Sequence, residues 1–420
     1  MIKEFLKPFT PLFVKNMYHN MVTFKDNFYI AYHQLKRKPE KTSKTVIVFL
    51  VQRTEVWNSV KTVYEAAKKC SSVSTYIIAI PPNRGGKIIL DDESVFDFCQ
   101  SISENAINSY DAVNDSFFDI SSLHPTYIFL NVPYTDEYPV CYKIQELARI
   151  SRVCYVPYGY TLIEGGLQTV NLRRELLANV DYIFCESKIT ERYCQKNLFM
   201  TKLLGKNIVY DFGFPRFELY KNLPIRDKRV INVLWIPRWT TKNESAKGNE
   251  SSSFFLFKDE IIDFFSKMED VKLTIRPHPR AFPNYVLSGA MTQEEVDNYK
   301  NKIDDIQNIE LDQSVSYYES LVDTDILIAD FSSLVAEFFI TGRPIIYFGS
   351  DEKFSKENKE MFSTFYNVTS WKDVHDALME LIKGDDKKKL VRENMVEHFV
   401  NKKSIHSGSK IIEFLLEKNN

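Results

Sequence analysis

One short turn in the second half of the chain combines the residue types that bind phosphate. TIRPHPR, at 274–280, sets Arg276, His278 and Arg280 around two prolines. Proline fixes φ and removes a hydrogen-bond donor, so these side chains project from a stiff turn. Guanidinium and imidazole groups bind phosphate, and an imidazole can donate to an oxygen that gains charge as a bond breaks. We predict that His278 is catalytic and that Arg276 binds the nucleotide donor, the alternative being a histidine satisfied by local backbone.

A second turn, DFSS at 330–333, lies between an apolar run and an apolar helical pattern. A serine there can cap the helix, and N–H groups at a helix start bind anions. We predict that Asp330, Ser332 and Ser333 bind a nucleotide diphosphate. Glu337, one turn further along, is expected to accept hydrogen bonds from ribose hydroxyls. An ordinary serine cap without a ligand is the alternative.

A third polar turn follows the apolar run VLWIP, in the sequence VLWIPRWTTK at 233–242. Arg238 and Thr240 stand directly after that run, where we expect them to contact the nucleotide donor. The loop that follows is rich in Ser, Asn and Lys, and it either orders over the donor phosphates or forms part of the surface.

Short apolar runs alternate with amphipathic helical patterns through most of the chain, which predicts an α/β fold with parallel sheets buried on both faces. In such sheets, ligands bind beyond the carboxyl ends of the strands. All three polar turns follow strand-like runs, so they are expected at one ligand-binding edge. The predicted strands are 45–51, 74–82, 126–133, 153–159, 181–187, 207–215, 230–237, 271–279, 308–312, 325–332 and 343–349.

The length of 420 residues predicts two domains of about 150–200 residues. A polar, proline-containing break at 221–229 separates the two series of strands. We therefore predict an N-terminal acceptor-side domain at 1–222 and a nucleotide-binding domain at 223–395. The final segment, 396–420, is predicted to contain a helix that crosses back to the first domain.

The composition narrows the functional class. Lys and Arg (54) nearly balance Asp and Glu (56), so no global field attracts nucleic acid. The six cysteines contain no CxxC pair and fit free thiols in a reducing cytoplasm. The sequence contains no run of about 18 apolar residues, so we expect no membrane span. The N-terminus does not have the pattern of a signal peptide. We expect a cytoplasmic protein.

The turns RPHP and DFSS, with the intervening SYYESLVDTDILIA, resemble the CDP-glycerol glycerophosphotransferases of teichoic-acid and capsule synthesis. FGFPRFELY, at 212–220, is similar to the glycine–proline–arginine element of that family at its inter-domain crossing, which singles out Gly213 and Arg216. The resemblance implies the GT-B fold, in which two doubly wound Rossmann-like domains face a central cleft. It also implies a CDP-activated donor of glycerol phosphate or a related polyol phosphate.

By the same resemblance, His278 would contact the donor phosphates, the two serines would bind the pyrophosphate, and Glu337 would bind the ribose. The acceptor would be a hydroxyl of a bacterial surface glycan, either free or lipid-linked: capsule, a teichoic-acid-like polymer or lipopolysaccharide. The segment at 5–25 mixes Phe, Leu and Lys, as a peripheral contact with the inner face of the cytoplasmic membrane would; its prolines favour the alternative, in which it packs on the N-terminal domain. We expect no metal cofactor, because the Asp-Thr-Asp at 323–325 precedes its strand instead of following it.

The catalytic base is less defined. The family commonly has a histidine–glycine turn in its N-terminal domain, where VPYGYTLIEGG of this chain has Tyr158. Glu164 follows on a glycine-bounded loop and can act as a base if its pKa is raised toward neutrality; a solvated loop acid is the alternative. Two other functions stay open. One is a CMP-sialic acid or CMP-Kdo glycosyltransferase, whose His-Pro turn and Ser pair are similar. The other is an inactive nucleotide-sugar-binding scaffold.

Overall fold

The computed structural model describes residues 12–36, 44–164, 171–221, 223, 230–241, 252–350, 352, 354–400 and 405–419, with the backbone alone for 12–20. The chain divides into two compact units. Unit 1 comprises Met1–Tyr158, Gly165–Phe214 and Gly408–Asn420, and unit 2 comprises Gly159–Glu164 and Pro215–Ser407. The boundaries expected at 222/223 and 395/396 stay predictions, and the six residues at 159–164 belong to the second unit although they lie within the sequence of the first.

Unit 1 is built on a seven-stranded parallel sheet in the order β7-β6-β5-β4-β1-β2-β3. The order reverses between β1 and β4, as in doubly wound Rossmann-like sheets. Its central strands are apolar and buried because helices cover both faces. The strands are β1 Thr45–Val51, β2 Val73–Ala79, β3 Ala106–Asn108, β4 Tyr127–Leu130, β5 Arg152–Tyr155, β6 Tyr182–Phe184 and β7 Val209–Tyr210.

The helices of unit 1 begin with α1, Leu12–Lys36, which packs on α5 and α7. Gln34 joins α1 to the end of α5, because its buried amide donates to the backbone oxygens of Leu177 (2.7 Å) and Val180 (2.6 Å). The others are α2 Lys61–Lys69, α3 Ser94–Ile102, α4 Ile144–Ile150, α5 Arg174–Asn179, α6 Lys188–Asn197 and α7 Phe199–Leu203. Short 3-10 turns at Thr135–Glu137 and Val140–Tyr142 precede α4.

Unit 2 has a six-stranded parallel sheet in the order β10-β9-β8-β11-β12-β13. This order again reverses, between β8 and β11, and the residues just past these two strands are the polar turns singled out in the sequence. Trp235 of β8 pairs with Ile275 of β9, and Ile236 pairs with Ala329 of β11. The strands are β8 Ile231–Ile236, β9 Val271–Ile275, β10 Ile309–Leu311, β11 Ile326–Ala329, β12 Ile345–Phe348 and β13 Tyr366–Val368.

Helices cover this second sheet with a core rich in aromatic residues, in which Trp235 stacks on Phe254 with ring centroids 5.9 Å apart. The cap of α14 is well defined, because Ser370 and Asp373 form a capping box. The helices are α8 Phe254–Phe265, α9 Ala281–Leu287, α10 Gln293–Asp304, α11 Tyr318–Asp323, α12 Leu334–Phe339, α13 Lys356–Phe362, α14 Trp371–Ile382 and α15 Lys389–Phe399.

The last helix, α16 at Ser407–Asn419, packs within unit 1. Tyr127 of β4 donates to the backbone oxygen of Leu415 at 2.6 Å, and Asn419 donates to Thr45 at 3.1 Å. Near the start of the helix, a Cβ added to Gly408 would lie 2.5 Å from the backbone oxygen of Thr62, so only glycine allows this close approach. The terminal helix is therefore an integral part of the first unit.

The predicted α/β fold with parallel sheets is confirmed. The sequence did not indicate β3 or β13, because these edge strands are only three residues long and alternate weakly. In the described part of the chain, no helix combines the length and the apolar character that crossing a bilayer requires.

Candidate functional site

The three polar turns of unit 2 all lie at the carboxyl edge of its sheet, where the strand order reverses. The turn after β8 and the turn after β11 are joined directly: the backbone N–H of Arg238 donates to Oδ2 of Asp330 at 2.6 Å. The guanidinium of Arg238 also donates to the backbone oxygen of Phe331 at 3.1 Å and lies over its ring. The side chain of Arg238 is thus held against the DFSS turn.

Asp330 lies beneath this edge and not on it. Its side chain is fully buried, and its Oδ2 accepts from the backbone N–H groups of Arg238 and Ser253, the latter at 2.9 Å. Burial raises the pKa of Asp330 to about 6, while these N–H groups favour the ionised form. A direct contact between Asp330 and a diphosphate, as expected from the sequence, does not fit this burial. The carboxylate instead ties the end of β8 and the start of α8 to the turn after β11.

His278, after β9, is exposed on the same edge. The backbone N–H of Arg280 donates to its Nδ1 at 3.1 Å, so the neutral ring carries its proton on Nε2. Desolvation lowers the pKa of His278, and the positive charges of Arg280 and Arg238 act in the same direction. At pH 7 the imidazole is therefore neutral and presents an N–H donor, and a bound anion would raise its pKa.

Residues that the sequence did not single out hold the turn after β8 in place. Tyr285 of α9 donates to the backbone oxygen of Arg238 at 2.8 Å, and Asn284 donates to that of Trp239 at 2.9 Å. Ser252 also donates to Arg238, at 2.8 Å. Because α9 begins directly after the RPHP turn, these bonds connect the His278 turn with the Arg238 turn. Nothing in the spacing of Asn284 and Tyr285 marks that role.

The two serines begin the short helix α12. The hydroxyl of Ser332 accepts from the backbone N–H of Leu334 at 3.2 Å, whereas Ser333 occupies the cap position without a side-chain cap bond. Both side chains are partly exposed, and so is Thr240 after β8. Arg238, Thr240, His278 and the serine pair therefore lie at the surface of one sheet edge.

Arg276 is bonded to residues that follow β10. Its side chain is only 11% exposed, and its guanidinium pairs with Asp312 at 2.5 Å and donates to the hydroxyl of Ser314 at 2.9 Å. The pKa of Asp312 is lowered, because hydrogen bonds from Ser314, Ser320 and Arg276 outweigh its desolvation. Arg276 thus joins the ends of β9 and β10, which differs from its expected contact with the nucleotide.

Glu337 is also buried, in a network that the sequence did not predict. Its carboxylate accepts from the guanidinium of Arg216 and the hydroxyl of Tyr220, both at 3.0 Å, and from Tyr317 at 3.4 Å. The Glu337 carboxylate raises the pKa of Arg216 despite the desolvation of the guanidinium, so the pair is ionic. With an exposure of 0%, Glu337 has no surface to offer a ribose, and its expected contact with the nucleotide does not fit this position.

The glycine–proline–arginine element spans the change of unit. Gly213, in unit 1, has φ of +86°, a left-handed conformation that favours glycine, and its N–H donates to Asp211 at 3.2 Å. Arg216, in unit 2, is the buried partner of Glu337. The Arg216–Glu337 ion pair therefore fixes the entry of the chain into unit 2.

The two candidate bases lie in different units. Tyr134 donates to Asn171 at 2.6 Å, which leaves Tyr158 as the donor in the Tyr134–Tyr158 hydroxyl contact of 2.8 Å in unit 1. A phenol that donates its proton in this way is poorly arranged to accept another. Glu164 is exposed at the end of the segment 159–164 of unit 2.

That segment runs beside the DFSS turn. A Cβ built on Gly159 would stand 3.5 Å from the hydroxyl oxygen of Ser333. Ile163 forms an antiparallel bridge with Phe354, and Ser355 donates its N–H to the oxygen of Leu162 at 3.3 Å. Among the residues that the structure describes, no group of three or more His, Cys, Asp or Glu side chains is placed to hold a metal ion. That the reaction needs no metal cofactor stays a prediction.

We predict that removing one partner of the buried Arg216–Glu337 ion pair destabilises unit 2. Glu337→Leu leaves the Arg216 charge unpaired and should lower the free energy of unfolding by about 3–5 kcal/mol, while Arg216→Met with Glu337→Leu should recover most of the loss. Guanidinium unfolding is followed by tryptophan fluorescence in a Trp57→Phe background, because Trp57 lies in unit 1 and the other three tryptophans, Trp235, Trp239 and Trp371, lie in unit 2.

The matched control is Asp263→Leu, which removes an ion pair whose side chains are both 68% exposed and should change stability by less than about 1 kcal/mol. A double variant no more stable than Glu337→Leu alone would contradict the prediction.

Comparison with solved structures places this geometry among known folds. The wall teichoic acid polymerase TagF, in a structure soaked with CDPG, aligns with a TM-score of 0.54 and 15% identity over 97% of both chains. The UDP-GlcNAc 2-epimerase from Neisseria meningitidis aligns with a TM-score of 0.53 and 13% identity, over 89% of this chain and 100% of that one. An S. aureus MnaA–UDP structure aligns with a TM-score of 0.53 and 11% identity, over 89% of this chain and 96% of that one. These similarities show the GT-B fold.

The sequence comparison is more specific. The family model for CDP-glycerol:poly(glycerophosphate) glycerophosphotransferases matches residues 169–417, more than half of the chain. No curated protein matches the sequence. The matched range includes the RPHP and DFSS turns, which confirms the resemblance stated from the sequence. The chain therefore belongs to the CDP-glycerol:poly(glycerophosphate) glycerophosphotransferase family and is a transferase of that type with the GT-B fold.

Proposed function

We propose that the protein transfers glycerol phosphate, or a related polyol phosphate, from a CDP-activated donor to a hydroxyl of a bacterial surface glycan. One observation carries the proposal: Arg238, His278, Ser332 and Ser333 follow three adjacent parallel strands and lie together at the switch point of unit 2. This edge offers a cation, a neutral N–H donor and hydroxyls, the groups that bind a nucleotide diphosphate.

The reaction is a displacement at phosphorus. The oxygen of the acceptor hydroxyl forms a bond to the phosphorus that carries glycerol, and the bond from that phosphorus to the bridging oxygen breaks. CMP leaves with the bonding electrons, and the hydroxyl proton passes to a base. His278 donates from Nε2 to the leaving phosphate, and Arg238 offsets its growing charge. The chain's own side chains thereby supply the charge stabilisation of the leaving group.

Of the two candidate bases, we retain Glu164. It is exposed and lies on the segment that runs beside the DFSS turn, whereas the Tyr158 proton is engaged with Tyr134. We assign Thr240, partly exposed after β8, to the nucleotide. We assign Asp330, Arg276 and Glu337 to positioning, since each is committed to groups within the fold.

A panel of nucleotide donors tests this proposal against its alternatives. With a glycerol phosphate polymer as the acceptor, CDP-glycerol should give CMP and an extended polymer, and CDP-ribitol is the related substrate. CMP release from CMP-sialic acid or CMP-Kdo alone would make the protein a glycosyltransferase. Tight binding of CDP with no release from any donor would make it an inactive scaffold.

We predict that His278→Ala lowers turnover by roughly 100-fold or more, because the leaving phosphate loses its hydrogen-bond donor. The midpoint of thermal unfolding should stay unchanged, since His278 is exposed. Calorimetry should also show CDP-glycerol binding tighten as the pH falls from 8 to 6 in the wild type. The diphosphate raises the lowered pKa of His278, so binding takes up a proton.

The control for this variant is His375→Ala, a partly exposed histidine on α14 whose replacement should alter neither turnover nor the pH dependence. Turnover unaffected by His278→Ala would show that the RPHP turn is structural.

We further propose that the protein acts in the cytoplasm and touches the membrane through α1, where a lipid-linked glycan would be presented. One side of α1 is apolar yet exposed, and the exposed Phe199 and Leu203 lie on α7, which packs against it. Exposed Lys25, Lys36 and Lys202 flank these residues and favour an anionic surface. The exposed side of α1 presents Met21, Phe24, Phe28, Tyr32 and Leu35, which are between 46% and 65% exposed.

We predict that the protein sediments with vesicles containing phosphatidylglycerol and that Phe24→Asp with Phe28→Asp reduces the bound fraction severalfold, because charge opposes insertion. Val113→Asp, at an exposed residue elsewhere in unit 1, is the control and should bind as the wild type does. Equal sedimentation of the three proteins would refute a membrane contact through α1.

A further inference from the structure

Residues 159–164, which we name the strap, form three hydrogen bonds with one buried side chain, in addition to the backbone bridge with Phe354. Asn358 of α13 is 1% exposed, and its amide nitrogen donates to the backbone oxygens of Thr161 at 3.1 Å and Leu162 at 2.8 Å. Its amide oxygen accepts from the hydroxyl of Tyr160 at 3.3 Å. All three bonds of this side chain therefore go to the strap.

The packing around Asn358 excludes water from these bonds. Tyr160 stacks on Phe217 with centroids 5.3 Å apart and also contacts Phe399. Phe354, which pairs with the strap at Ile163, lies 5.9 Å from the ring of Phe331 in the DFSS turn. Phe354 thus contacts both the strap and the DFSS turn, so a shift of one segment would displace the other.

At its other end, the strap brings bare backbone next to Ser333. Gly159 has a φ outside the left-handed region, so its backbone conformation does not require glycine. An alanine would instead fill the space beside Ser333, because its methyl would stand 3.5 Å from Oγ and 3.7 Å from Cβ of that residue. These are ordinary van der Waals distances, so the folded protein accepts alanine here.

A ligand at Ser333 would meet that methyl. An oxygen hydrogen-bonded to the Ser333 hydroxyl lies about 2.7–2.8 Å from Oγ, in the space that a side chain at residue 159 would enter. Glycine leaves this space open and lets the backbone approach a ligand closely. Neither backbone conformation nor packing therefore requires glycine at 159, whereas a ligand oxygen on this side of Ser333 would.

We infer that the strap is a wall of the diphosphate site, with Gly159 lining it beside Ser333 and Asn358 as the positioning residue that clamps the wall in place. This inference rests on the proposed function, because the ligand is the diphosphate of a cytidine nucleotide. It adds to the site a segment that lies far from the donor-binding turns in sequence, together with a residue that touches no ligand.

Calorimetric titration with CDP tests the inference. Gly159→Ala should weaken CDP binding by about tenfold while the midpoint of thermal unfolding stays unchanged, because its methyl crowds the ligand and not the fold. Asn358→Leu, similar in size but without the amide, should weaken binding to a similar extent by releasing the strap. Hydrogen exchange of peptides covering 159–164 should slow on addition of CDP in the wild type and less so in Asn358→Leu.

The control is Glu360→Gln, an exposed residue on the same helix as Asn358, which should bind CDP as the wild type does. If Asn358→Leu fails to fold, Gly159→Ala decides alone. Wild-type affinity in Gly159→Ala, with exchange of the strap unaffected by CDP, overturns the inference while leaving the proposed function intact. No CDP binding by the wild type overturns the proposed function, and the inference with it.

Discussion

The edge of the second sheet depends on one buried carboxylate. Asp330 follows β11 and accepts backbone N–H groups from the end of β8 and the start of α8. It reinforces the contact of the Arg238 side chain with Phe331 between the turns that present Arg238 and the serine pair. A buried charge is costly unless it is hydrogen-bonded, so these N–H groups and Asp330 are mutually dependent.

Two further ionisable residues near the site, Glu337 and Arg276, are likewise bound to groups within the fold of unit 2. Glu337 pairs with Arg216, and Arg276 bridges β9 and β10 through Asp312 and Ser314. Arg276 lies two residues before the exposed His278, and Glu337 lies one helical turn after the partly exposed Ser333. Burial of these charges makes the turns rigid, and rigid turns hold exposed groups in a fixed geometry before a ligand arrives.

Two features of the wider site follow from chain connectivity. Glu164 and Gly159 lie in the sequence of the first unit, yet they belong structurally to the second, since Asn358 and Phe354 bind the segment between them. In unit 1, Tyr158 occurs where the family commonly has a histidine, and its hydroxyl joins Tyr134 and Asn171 in a chain of hydrogen bonds. The Tyr158 hydroxyl is thus engaged by other side chains of unit 1.

The sequence by itself determined the α/β class, the central strands and the three polar turns, because apolar runs and proline-stiffened or serine-led turns are local patterns. Only the tertiary structure decided which polar residues of those turns reach the surface. Asp330, Glu337 and Arg276 are of residue types that bind ligands, and their burial depends on partners from 20 to 121 residues away, such as Asp312 and Arg216. Asn358 and the strap could not be predicted for the same reason: their contacts span 196–198 residues and leave no periodic signal.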